Sequence, residues 1–213
     1  DELKFFGDQL GAGAQGAVRK ARWKGNDYAV KVFKTSETTD FEDEVRVLEH
    51  LRHPNIVTFY GAVTRDSQHH AIVVELCRGS VYDYLQKFGK EKTPSGSARL
   101  NLLTRIRYAH DAAKGLIFLH SRKVIHCDLK TSNLLVANDA TTPVKICDFS
   151  MSRITSVKVG DRKSGGGMIV PTHPEATGSG TPGFISPVRV PHSHSSMAWF
   201  LRVVQIADMR RQF

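Results

Sequence analysis

Gly11-Ala12-Gly13-Ala14-Gln15-Gly16 narrows the folds open to this chain more than any other segment, because a strand-like run and not a helix succeeds it. The pattern G-x-G-x-x-G recurs in several phosphate-binding architectures, and a dinucleotide-binding unit needs a strand before it and a helix after it. Here Ala17 to Trp23 runs on as strand, so the glycines sit at the tip of a β-hairpin. No Gly-Lys-Ser or Gly-Lys-Thr comes next, which removes the Walker-type loop as well. Two alternatives stay open on these residues alone: a glycine-rich lid over phosphates, or an ordinary glycine turn between strands.

The neighbouring residues extend the sheet. Phe5 to Leu10, Ala17 to Trp23 and Asp27 to Phe33 read as strands, with Gly25-Asn26-Asp27 supplying turn chemistry between the last two. Thr39 followed by Glu42 is a capping-box signature, and Phe41, Val45, Leu48 and Leu51 then recur at helical spacing. Past Pro54-Asn55, the apolar runs Ile56 to Val63 and Ala71 to Leu76 predict two more strands of the same antiparallel sheet. From Tyr82 the texture turns helical. Leu102/Leu103, Ile106, Ala109, Ala113, Leu116 and Leu119 predict a long buried helix ending near His120. Two short β-like pieces, Leu134 to Ala137 and Val144 to Cys147, flank a turn at Asn138-Asp139. After Asp148 the periodicity fails. Gly165-Gly166-Gly167, Gly178-Ser179-Gly180 and five prolines from Pro171 to Pro191 mark a long loop, and only Met197 to Ile206 reads as helix again.

Three further groups carry chemistry. Lys31 shares a strand face with Ala29 and Phe33, and Glu44 falls on the apolar stripe of the capped helix between Phe41 and Leu48. A carboxylate facing a core costs several kcal/mol unless it is paired, and Lys31 is the obvious partner. Asp128, Lys130 and Asn133 stand at short fixed offsets between the long helix and a β-piece. That set suits a base, a phosphate-binding cation and a metal-binding amide, or equally a polar turn with capping residues. Asp148-Phe149-Ser150 directly follows the apolar Val144 to Cys147, where a carboxylate at a strand end can hold Mg²⁺.

In this order and at these separations, the four groups make the chain resemble the eukaryotic protein kinase catalytic domain from about Phe5 to Pro187. The resemblance implies an α+β, bilobal kinase-like fold: a five-stranded antiparallel N-lobe sheet with one αC helix, and a mainly helical C-lobe that is incomplete. It implies an N-lobe over residues 1–78, a partial C-lobe with catalytic and activation loops over 79–187, and an off-pattern tail over 188–213. Gly11, Ala12, Gly13 and Gly16 would then form the glycine-rich loop, Lys31 the phosphate-positioning lysine and Glu44 its partner. Asp128 corresponds to the catalytic base, Lys130 to the serine/threonine-type loop lysine, and Asn133 and Asp148 to the Mg²⁺ ligands. Val18, Ala29, Val74 at the gatekeeper position, Glu75-Leu76-Cys77 at the hinge, and Leu135 are the implied adenine contacts. Leu48, Phe59, His126 and Phe149 would stack as a regulatory spine. ATP, Mg²⁺ and a protein substrate with a serine or threonine acceptor follow from the same resemblance. Leu51-Arg52-His53-Pro54-Asn55-Ile56-Val57 and Lys130-Thr131-Ser132-Asn133 point to the tyrosine-kinase-like group, mixed-lineage or Raf-like. The rival expectation is a truncated, ATP-binding pseudokinase or scaffold with little or no phosphotransfer.

Four departures qualify the resemblance. Cys127 replaces the arginine that normally precedes the catalytic aspartate, removing a cation that grips a phosphorylated activation loop. Ser150 replaces the glycine after Asp148-Phe149 and loses free access to positive φ. Ser186-Pro187-Val188 stands where Ala-Pro-Glu is expected, although Thr181 in Gly180-Thr181-Pro182 matches the substrate-docking threonine. Nothing after Pro187 follows the family pattern, which reads as a truncated or mis-spliced product. His192 and His194 fall in a solvated His/Ser run rather than a metal site. Ser164, Thr172, Thr177 and Ser179 are candidate phosphosites by position alone.

Charge and cysteine content bound the rest. The 213 residues carry a net charge of +9, of which residues 1–148, with 22 basic and 18 acidic side chains, hold +4, and residues 149–213, with 8 and 3, hold +5. The excess is a property of the tail, and no aromatic platform accompanies it, so neither nucleic acid nor membrane is expected as a partner. Cys77, Cys127 and Cys147 are too few and too scattered for a disulfide framework, which suits a reduced, cytoplasmic setting. Cys147, one residue before Asp148, is a candidate for alkylation by an ATP-site electrophile, with a buried inert thiol as the default.

Overall fold

A computed structural model of the protein describes residues 3–13, 16–34, 38–66, 69–90, 102–139 and 141–154. Strands β1 (Lys4–Ala12), β2 (Gly16–Trp23) and β3 (Asn26–Phe33) lead into helix α1 (Thr38–Leu48), followed by β4 (Phe59–Asp66) and β5 (His69–Glu75). They form one antiparallel five-stranded sheet in the order β1-β2-β3-β5-β4. Beyond it come β6 (Gly79–Ser80), α2 (Val81–Lys90), α3 (Leu102–Ser121), β7 (Val124–Ile125), a 3₁₀ turn at Thr131–Asn133, β8 (Leu134–Val136), β9 (Val144–Ile146) and β10 (Arg153–Ile154). The β-rich part followed by a helical part is the layout expected from the residue pattern.

Register decides which side chains share a face. Lys31 pairs with Val18 on β2 and Ile72 on β5, and Ala29 pairs with Val74. Directly opposed residues point to the same side of a sheet, and residues two apart do likewise. Val18, Ala29, Lys31 and Val74 therefore line one face. The opposite face buries Ala21, Val30, Ala71 and Val73. Gly16 is required at the hairpin by packing, since a Cβ there would lie 2.0 Å from the Val32 carbonyl oxygen.

One core joins α1 to the second part of the chain. Leu48, Ile56, Leu116, Leu119, Val144, Ile146 and Phe149 belong to a single buried cluster. The seam is made by the segment after α1: Asn55 O accepts the Ile146 N–H and Val57 N–H donates to Ile146 O, both at 2.9 Å, so residues 55–57 pair alongside β9 like an extra strand. Asn55 Nδ2 adds a bond to Val144 O at 2.9 Å, and Asp111, buried on α3, accepts the Val144 N–H at 3.3 Å. Gly115 lets α3 approach this seam, because a Cβ would meet Ile146 Cδ1 at 2.8 Å and Asn55 O at 2.9 Å.

Two local expectations need correction. The helix already includes Thr38, so Thr39 lies inside α1 rather than capping it. The long helix is buried on one side only: Ala112, Leu116 and Leu119 are in the core, whereas Leu102, Leu103, Ile106 and Ile117 are all more than half exposed. Periodicity identifies the apolar positions but cannot say which stripe finds a partner among the described residues. Among those residues, no helix is long and apolar enough to cross a membrane. The candidate phosphosites Ser164, Thr172, Thr177 and Ser179, along with Thr181, Ser186-Pro187-Val188, His192, His194 and Met197 to Ile206, lie outside the described residues.

Candidate functional site

Lys31 is the centre of the site. Its Nζ lies 2.6 Å from Glu44 Oε2 and 3.1 Å from Asp148 Oδ1, which joins the sheet, α1 and the segment after β9 through one ammonium group. Helical spacing puts Glu44 on the apolar stripe of α1, and it is only 3% exposed. Its other oxygen, Oε1, accepts the Phe149 N–H at 3.2 Å, so the buried carboxylate is held on both sides. Burial pushes Glu44 up from the ordinary carboxylate range while Lys31 pulls it back. Burial alone would lower Lys31, yet Glu44 and Asp148 together outweigh it and hold the ammonium charged. For Asp148, burial raises the pKa, but Lys31 and the Ser150 hydroxyl overcome it and keep the carboxylate ionised below its usual value.

The second group is held by a chain of short hydrogen bonds. His126 is buried, with Nε2 on the Cys147 carbonyl at 2.9 Å and Nδ1 accepting the Asp128 N–H at 3.3 Å, an arrangement that requires the neutral Nε2–H tautomer. Burial lowers its pKa accordingly. Asn133 donates from Nδ2 to Asp128 O at 2.9 Å and to Asp128 Oδ2 at 3.1 Å, its carbonyl O accepts the Cys147 N–H at 3.0 Å, and Lys130 Nζ lies 2.7 Å from Asp128 Oδ2. Asp128, Lys130 and Asn133 are thereby tied to the residue immediately before Asp148. Cys127 has φ +63° and Asp148 φ +62°, positions that disfavour residues with a Cβ and that accumulate at functional sites.

The remaining candidates surround this centre. Gly13 N–H donates to Gly16 O at 2.9 Å, closing the hairpin tip, and among the described residues a Cβ on Gly11 or Gly13 would meet nothing within 4 Å, so the backbone there is open on that side. Ala12, beside them at the end of β1, is exposed. Leu135 pairs with Ser80 and Lys145 and packs against the core. Of the four spine candidates, Leu48, Phe59 and Phe149 belong to one packed cluster, and the His126 and Phe149 rings meet edge-on at 5.1 Å.

At the hinge, Glu75 does more than its position implies. Its Oε1 accepts the Thr58 N–H at 2.6 Å and lies 2.9 Å from Lys145 Nζ. Lys145, at the centre of β9 and 8% exposed, belongs to none of the sequence motifs. A signal for it exists all the same: a lysine inside the apolar run Val144-Lys145-Ile146 needs a buried partner. Asn138 Nδ2 occupies the Leu76 carbonyl and Val136 O takes the Arg78 N–H, leaving Cys77 between two fixed neighbours. Burial pushes the Cys77 thiol up to about 12 and Cys147 well above the ordinary thiol range, and it raises Cys127 despite the opposing pull of Arg153. In all three, burial disfavours the thiolate, the reactive form, which favours the inert reading of Cys147.

Comparison with known proteins places the chain in a family. A family model described as protein tyrosine and serine/threonine kinase matches residues 5–178. Among similar proteins, the Serine/threonine-protein kinase CTR1 of Arabidopsis thaliana is 39% identical over 75% of this chain and 19% of its own length. The Dual specificity protein kinase shkA of Dictyostelium discoideum is 42% identical over 68% of this chain and 27% of its own. The Probable serine/threonine-protein kinase SIS8 of Arabidopsis thaliana is 39% identical over 70% and 14% respectively. The chain thus spans less than a third of the length of each of these relatives. With an ordered set of motifs folded onto one lysine-centred site and a family model covering most of its length, this chain belongs to the protein tyrosine and serine/threonine kinase family.

Proposed function

We propose that the chain is an ATP-dependent protein kinase acting on serine or threonine hydroxyls of a protein substrate. The observation that carries this is Lys31 bridging Glu44 and Asp148 while Asn133, Asp128 and Lys130 follow in turn, one, two and three hydrogen bonds from the Cys147 N–H beside Asp148. Lys31 positions the α- and β-phosphates, with Glu44 fixing its direction. The open backbone at Gly11 and Gly13 covers the phosphates, and Val18, Ala29, Val74 and Leu135 enclose the adenine. Glu75 and Cys77 contribute backbone rather than side chains, because the Glu75 carboxylate is engaged by Lys145 and Thr58 and the half-buried Cys77 thiol is held protonated by burial.

Asp128 orients the acceptor hydroxyl and accepts its proton, and Lys130 stabilises charge on the moving phosphoryl group. A divalent cation of the Mg²⁺ type fits the donor set. Asn133 donates its amide nitrogen to Asp128, so its Oδ1 is the free-facing acceptor end, and the named bonds of Asp148 all fall on Oδ1, leaving Oδ2. Two hard oxygens from the protein, with phosphate and water completing the shell, is how Mg²⁺ is usually held. Bound there, the cation would neutralise phosphate charge. Lobes over residues 1–78 and 79–187, with a tail over 188–213, complete the proposal.

Transfer of radiolabelled γ-phosphoryl from ATP to a protein acceptor tests it. Lys31→Met and Asp148→Asn variants are expected to lose transfer, and persisting transfer in either would refute the assignment. The half-exposed stripe of α3 favours one second reading, an ATP-binding scaffold without phosphotransfer. A thermal shift with Mg·ATP in the absence of any transfer would select it.

A further inference from the structure

The serine after Asp148-Phe149 offers a group that glycine at that position lacks. Ser150 Oγ donates to Asp148 Oδ1 at 2.9 Å, the same oxygen that takes Lys31 Nζ at 3.1 Å. Two donors on one carboxylate oxygen fix the plane of the group, and both hydrogen bonds are charge-assisted. The backbone around it is fixed as well. Phe149 N–H donates to Glu44, the Phe149 ring is 1% exposed, and Ser152 N–H closes a turn onto Phe149 O at 2.9 Å. Among the described residues the positive φ falls on Asp148 and not on Ser150, so the serine occupies ordinary backbone space and its hydroxyl is available at no conformational cost.

We propose that Ser150 is a positioning residue for the Asp148 carboxylate: its hydroxyl, with Lys31, occupies Oδ1 and turns Oδ2 toward the divalent cation of the nucleotide complex. The proposal rests on Asp148 being a metal ligand, the reading given under the proposed function. Without the hydroxyl, Lys31 alone holds Oδ1, and the carboxylate gains a rotation that must be frozen out when the cation binds. Losing a hydrogen bond to a charged group is expected to weaken binding about tenfold, which is about 1.4 kcal/mol.

The test uses the full chain, a non-hydrolysable ATP analogue and Mn²⁺ as the probe, with bound and free Mn²⁺ distinguished by electron paramagnetic resonance. Ser150→Ala and Ser150→Gly are expected to weaken Mn²⁺ binding in the nucleotide complex about tenfold. Binding of the nucleotide without metal should stay within twofold of the parent, and Ser150→Thr should restore Mn²⁺ affinity. Two variants guard against a folding artefact, since glycine fits any backbone geometry here, and each thermal midpoint is measured alongside. Unchanged Mn²⁺ affinity in both variants would overturn the proposal, even if their midpoints fell, as would a parallel loss of metal-free nucleotide binding. Asp148→Asn separates the two levels. If it abolishes Mn²⁺ binding while the Ser150 variants do not change it, only the Ser150 role fails. If it leaves Mn²⁺ binding intact, the metal reading of Asp148 fails and the proposal with it.

Discussion

Lys145 Nζ lies 2.9 Å from Glu75 Oε1, joining the middle of β9 to the end of β5 across 70 residues of sequence. Glu75 also takes the Thr58 N–H, so one carboxylate links β5, the segment before β4 and β9. The pair sits at the junction between the sheet and β9, which leads to Asp148, beside the candidate adenine contacts.

Breaking this pair from one side leaves a charge with little water. Lys145→Met is expected to destabilise the fold by about 3 kcal/mol, the lower end for a broken buried pair, because the Glu75 side chain keeps 22% of its surface exposed. Urea unfolding gives the value directly. The double variant Lys145→Met/Glu75→Gln should recover part of the loss, and strict additivity would remove the coupling.

His126 sets a pH dependence. Its folded pKa is lowered from 6.5 by burial, so the unfolded chain binds the proton more readily. Stability is therefore fully present above about pH 6.5 and is lost as pH falls from there through the folded value. His53, lowered chiefly by burial, acts in the same direction. Unfolding midpoints measured from pH 7.5 to 5.5 should decline, and the decline should shrink in His126→Phe. An unchanged slope in that variant would assign the effect elsewhere.

Gly115→Ala tests the seam between α3 and residues 55–57. With Ile146 Cδ1 at 2.8 Å and a backbone oxygen at 2.9 Å from the added Cβ, the expected cost is about 1–3 kcal/mol, although alanine is the better helix former. A stability equal to or above the parent would show that the seam yields without strain.

The three thiols should be slow toward iodoacetamide at pH 7.5. Cys77, pushed up to about 12, and Cys147, raised well above the ordinary range, are half-buried, and burial disfavours their thiolates. Mass spectrometry should find labelling in the native protein far slower than in urea. Rapid native labelling of Cys147 would revive it as a target for electrophiles aimed at the nucleotide site.

Phosphatase treatment probes Cys127. With cysteine where the family carries arginine, activation-loop phosphorylation should matter less for phosphotransfer. A large loss of activity after treatment would count against this.

Much of the site is legible in the order of residues. Glu44 on an apolar stripe demands a cation, and Lys31 on a strand face demands a reason to point inward; the 2.6 Å pair answers both. The offsets among Asp128, Lys130 and Asn133 are local, so their convergence on one carboxylate follows from a short turn. Ser150 is legible only as a lost glycine, because the partner of its hydroxyl depends on a rotamer that residue order does not specify.

What sequence alone determined here is what repeats or clusters locally: strand alternation, the helical stripe, the glycine hairpin and the order of the polar motifs. Tertiary structure decided the partners across long separations: Lys145 with Glu75, Asp111 and Asn55 with Val144, and which stripe of α3 is covered. The physical reason is the same in each case. Local periodicity states that a side chain is apolar or charged, whereas its burial cost is met only by whichever group the folded chain brings to it.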